Sequence, residues 1–142
     1  MFTQDRDQLR RYYLNCWQKQ QSGATLDALE QQVAEVIAEH PEYHALLQDE
    51  DKALGREYAP EDGETNPFLH MSLHLGLQEQ VVTDRPAGIR EIYQQMIARH
   101  GVHEAEHQMM QYLIESLWVA QRNQTAPDEK IYMEGLQGLL KT

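Results

Sequence analysis

The sequence predicts an all-α fold: a single-domain bundle of six or seven helices spanning residues 1–142. Two observations carry this. Apolar residues recur at three- and four-residue spacing along most of the chain, and no alternating β pattern of useful length occurs. The periodic stretches are also separated by residues that start or stop helices, such as Ser22-Gly23, Asn66-Pro67, Gly101 and Pro127.

The first helix is expected from about Gln4 to Gln21, with Leu9, Tyr12, Tyr13, Cys16 and Trp17 as its apolar stripe. Thr25 is expected to cap a second helix carrying Leu26, Leu29, Val33, Val36 and Ile37. Pro41 interrupts that pattern and suits the first turn of a short third helix with Tyr43, Leu46 and Leu47. Residues 49–65 read as a long acidic loop. Unstructured connections of that length are uncommon in compact domains, so a lid or a mobile segment is expected there.

Asn66-Pro67 pairs a good N-cap residue with proline at the first helical position, and this helix should reach Thr83. Asp84-Arg85-Pro86 restarts the chain. Ile89, Ile92, Tyr93, Met96, Ile97 and His100 then give the cleanest helical stripe, ended by Gly101. A helix from Val102 to Arg122 follows. Pro127 opens a last one with Ile131, Tyr132, Leu136, Leu139 and Leu140.

Hydrophobic residues make up 41% of the 142, enough for a packed core and too many for a disordered chain. The net charge of −11 argues against nucleic acid or an anionic membrane as partner, because both select for Lys and Arg. Cys16 is the only cysteine, so an internal disulfide or multi-cysteine zinc site is excluded and any metal must be held by nitrogen and oxygen. The segment Met1–Asp7 lacks the apolar run of a signal peptide, and no stretch is apolar enough to span a membrane, so a cytoplasmic location is expected. Apolar helix faces and two tryptophans leave room for a homodimer.

The histidines carry the chemistry. Three pairs stand four residues apart: His40/His44, His70/His74 and His103/His107. Seven histidines scattered at random would give roughly a third of one such pair. Four residues is just over one helical turn, so each pair can aim both imidazoles the same way. His70 and His74 share a face with Leu73, Leu77 and Val81. His103 and His107 share one with Met110, Ile114 and Leu117. One antiparallel helix separates these two helices, so both pairs should reach the same end of the bundle, where His100 also lies. Burying four imidazoles costs solvation, and a divalent cation would offset it. The expected ligands are therefore His70, His74, His103 and His107, with Glu106 or Glu104 completing or tuning the site. Pro41 between His40 and His44 spoils the one-turn geometry and demotes that pair to an outer partner of the site, and His100 reads as a helix-end residue.

Three functions fit this pattern. The first is a mononuclear zinc or iron site in a helical bundle. A symmetric di-iron centre would need Glu-x-x-His on both helices. Glu104-Ala105-Glu106-His107 supplies one such element, and the helix of His70 and His74 has none. The second is a zinc hydrolase, because His103-Glu104-Ala105-Glu106-His107 fits H-E-x-x-H. There His103 and His107 would bind zinc and Glu104 would act as the base. The third is a non-catalytic structural or interaction protein whose histidines are polar core residues or a pH switch.

Several segments also point to a family. They are Gln4–Arg11, Ala34–His44, Asn66–His74, Thr83–Arg90 and His103–His107. Taken together they resemble domain-of-unknown-function family 1841, and the likeness spans nearly the whole chain. The resemblance implies a short cytoplasmic bacterial protein and carries no activity or site residues of its own. A weaker analogy, on fold class and histidine spacing alone, is to metal-binding bundles of the DinB and hemerythrin kind.

Overall fold

A computed structural model describes residues 2–54 and 66–141, with side chains from residue 6 onward. Among the described residues every regular element is helical, as the apolar spacing predicts. The elements are α1 (Phe2–Ser22), α2 (Ala28–Ala38), a 3-10 turn at Pro41–Tyr43, α3 (His44–Leu47), α4 (Glu50–Leu54), α5 (Pro67–Thr83), α6 (Ile89–His100), α7 (Val102–Asn123) and α8 (Glu129–Leu139). No helix is long and apolar enough to cross a membrane among these residues. The chain packs as two compact units, residues 1–71 and 72–142, and the division falls inside α5.

In the first unit α1 packs on α2, α3 and α4. Its buried stripe is Arg10, Tyr13, Leu14 and Trp17, with Cys16 beside it, while Leu9 is 46% exposed. Tyr13, Cys16 and Trp17 are buried as the stripe predicts, while the face turns toward Arg10 and Leu14 in place of Leu9. The reason is Arg10. Its guanidinium lies 4.9 Å from the Phe68 ring, and Nη1 donates to the Ala53 and Leu54 carbonyls at the end of α4. A cation there meets both the aromatic face and the negative end of a helix, so a charged side chain takes a core position. Tyr13 stacks on Phe68 with ring centres 5.8 Å apart.

Helix α2 is capped by Asp27 and not by Thr25. Asp27 accepts from the Glu30 amide, and the Glu30 carboxylate accepts from the Asp27 amide. This reciprocal box satisfies two amides at once, whereas Thr25 lies before the cap. Leu29 is consequently exposed, and Val33, Val36 and Ile37 carry the packing. Part of the expected acidic loop is helix, since residues 50–54 form α4. The rest of that loop, 55–65, lies outside the described residues, and so does the lid expected there.

In the second unit α6 packs on α7, and α8 packs on both. The core gathers Leu77, Ile89, Ile92, Met96, Met109 and Leu136. Asn66 begins α5 as expected, its side chain accepting from the Phe68 and Leu69 amides. Asp84 folds the next turn, accepting from the Gly88 and Arg90 amides. Gly101, at φ 82°, separates α6 from α7 in a conformation that favours glycine. Asp128, one residue after the expected Pro127, caps α8. Ile131, expected on the core stripe, is 66% exposed, while Tyr132 and Leu136 are buried.

Candidate metal centre

Pro41 does break the His40/His44 pair, as expected, but the break gives each member a separate role. His44 begins α3, donates from Nε2 to the Ile37 carbonyl at 2.9 Å and lies against Trp17, ring centres 4.4 Å apart. It is a packing residue. His40 is 2% exposed and stacks on Tyr43, and its ring meets His70 edge-on with centres 5.0 Å apart. A carbonyl can only accept, so the 2.7 Å contact of His40 Nδ1 with the Val36 carbonyl fixes the proton on Nδ1. In the neutral ring the lone pair is then on Nε2.

The second unit repeats this arrangement around His74, which is fully buried. Its Nδ1 donates to Glu106 Oε1 at 2.7 Å. Gln78 donates to both oxygens of the same carboxylate, and the Tyr93 hydroxyl donates to Oε2. Burial pushes the Glu106 carboxyl up. The bonds from His74, Tyr93 and Gln78 outweigh that and hold its pKa below the ordinary value. An ionised carboxylate accepts only, so His74 also donates from Nδ1, which in the neutral ring leaves the lone pair on Nε2. This is the pattern by which an acid orients a metal-binding imidazole.

Two further imidazoles face His74 from α7. The His107 ring centre is 4.9 Å away and that of His103 is 6.0 Å away, and the two lie 4.1 Å from each other. The convergence of His74 with the α7 pair is therefore as the connectivity implied. The phase of α7 differs from expectation. Its buried face is centred on Glu106, Met109, Met110 and Leu113, while His103 is exposed, His107 half-buried and Leu117 41% exposed. The pair sits at the edge of the core face, and the carboxylate rather than the pair occupies its middle.

Glu104 is exposed, and its carboxylate accepts from Gln108 one turn along α7. His100 is exposed as well. Four histidines, His40, His70, His74 and His107, each offer a ring nitrogen as a candidate metal ligand. Helix α5 supplies His70 and His74 one turn apart.

Pro41 makes His40 an outer partner in the sequence, where nothing marks the end of α2 as buried. Gln78 goes unmarked in the sequence as well, although it follows His74 by one helical turn and so shares its face. In the sequence Tyr93 falls on an apolar stripe, which says nothing of the Glu106 carboxylate its hydroxyl meets.

The chain matches the family described as Domain of unknown function (DUF1841) over residues 5–138. It belongs to that family. No curated protein and no solved structure matches it. The buried, acid-oriented histidine of this DUF1841 domain is thus read from its own chemistry.

Proposed function

We propose that the protein binds one divalent transition metal, zinc or iron, through Nε2 of His74 together with His107, at the buried His74–Glu106 pair of the second unit. One observation carries the reading. The buried His74 is held by an acceptor on Nδ1, which in the neutral ring aims the lone pair of Nε2 at a metal. It has a second imidazole against it, that of His107. Neutral imidazoles suit zinc and iron. An iron ion would keep further positions open for chemistry. Glu106 orients His74 and raises its basicity without being a ligand.

The H-E-x-x-H hydrolase reading gains little support, because Glu104 is exposed and engaged by Gln108. Elemental analysis of protein purified without a histidine tag tests the proposal. The expected result is one zinc or iron per chain, lost in His74→Ala and in His107→Ala while circular dichroism stays helical. Wild-type protein that stays metal-free after exposure to zinc and ferrous iron would sink it.

A further inference from the structure

We infer that His103 and His107 form a second, surface metal site, a capture site through which a divalent transition metal reaches the inner ligands. This inference rests on the proposed inner site. Exposure falls in order along three neighbouring imidazoles: His103 is exposed, His107 half-buried and His74 fully buried. The His103 and His107 rings lie 4.1 Å apart on successive turns of α7, close enough for both to hold one ion. His107 is also 4.9 Å from His74 in ring-centre distance.

His107 is therefore common to both sites. An ion held by His103 and His107 can exchange His103 for His74 while keeping His107 throughout. That route avoids stripping the ion of all its ligands before it enters a buried place, where desolvation would be costly. The net charge of −11 draws cations toward the surface and raises the encounter rate with such a pair. His103 so acts on the path and not at the destination, which also explains an exposed histidine beside buried ones.

The test uses the full-length metal-free protein and cobalt(II) as the probe, followed by its d–d absorption in a stopped-flow instrument. His103→Ala should reach the same stoichiometry and final spectrum as wild type but load more slowly, by about tenfold or more. Release to a chelator should slow by the same factor, because a residue outside the final ligand set changes both rates together. His100→Ala, another exposed histidine, should load at the wild-type rate. Unchanged loading and release in His103→Ala would overturn the capture site and leave the inner site standing. A changed final spectrum or a lost equivalent of cobalt would overturn it differently, by making His103 a resident ligand. A wild-type protein that takes up no cobalt would end both readings.

Discussion

His74 and Glu106 are joined by a 2.7 Å hydrogen bond between two side chains that are almost wholly removed from solvent. Its direction is settled by chemistry, since the ionised carboxylate can only accept. The bond therefore fixes which imidazole nitrogen is left to bind a metal. Helices α5, α6 and α7 all contribute, through His74 and Gln78, Tyr93, and Glu106 respectively.

Replacing that acid with its amide separates charge from shape. Glu106→Gln keeps an oxygen to accept from His74 but removes the negative charge that strengthens the imidazole as a donor. Metal affinity is expected to fall about 10- to 100-fold. Competition with a chromophoric chelator measures it, and the far-ultraviolet circular dichroism should remain that of the wild type. An unchanged affinity would show that Glu106 does not act through His74.

The same carboxyl sets a pH dependence in the metal-free protein. Its native pKa is lowered below the ordinary value of 4.5. Below 4.5 the unfolded chain takes up the proton first, so stability rises with pH in that range. The contribution is fully present above 4.5 and disappears as pH falls through the lower native value. Urea midpoints measured in steps from pH 7 to pH 3 should therefore drop below about 4.5. Glu106→Gln should flatten that part of the curve. Parallel curves for the two proteins would contradict the assignment.

Removing the metal should lower thermal stability. An ion that binds only the folded chain adds about 2.7 kcal/mol when its free concentration is a hundredfold above its dissociation constant. For a chain of this size each kcal/mol moves the melting temperature by roughly 3–4 °C, so a chelator should lower it by about 10 °C. Adding zinc or ferrous iron back should restore it. His74→Ala should melt at the same temperature with and without chelator.

Much of this was legible in the sequence, and the misses have physical causes. The cap at Asn66 and the break at Gly101 are local signals and appear where the residues indicate. The α7 histidines do meet His74, because helical period and connectivity alone bring them to one end of the second unit. The errors come from groups whose burial depends on partners far along the chain. Arg10 displaces Leu9 from the core stripe only because Phe68 and the end of α4 await it. Glu106 takes the middle of the α7 core face because Tyr93, Gln78 and His74 satisfy its charge. Hydrophobic periodicity ranks a glutamate as outward-facing and contains no information about such partners. His40 is hard to place from the sequence for the opposite reason. A correct local inference, that Pro41 breaks the turn, says nothing about where each half goes afterwards.

Two glycines in helices should respond to alanine in opposite directions. A Cβ at Gly135 would come within 2.5 Å and 2.8 Å of the Tyr112 ring, whereas one at Gly76 meets nothing within 4 Å. In both helices alanine is intrinsically better than glycine by about 1 kcal/mol. At Gly76, inside α5, that gain is unopposed, and Gly76→Ala should stabilise the protein by roughly 0.5–1 kcal/mol. At Gly135, inside α8, the clash falls on the body of an aromatic ring and cannot be relieved by rotating a flexible tip. Overpacking of this kind costs about 1–3 kcal/mol. The cost exceeds the propensity gain, and Gly135→Ala should be destabilised by up to about 2 kcal/mol. Urea denaturation of the two variants beside wild type checks both signs in one experiment. Gly135→Ala becoming as stable as Gly76→Ala would mean that the close packing of α8 on Tyr112 is absent in solution.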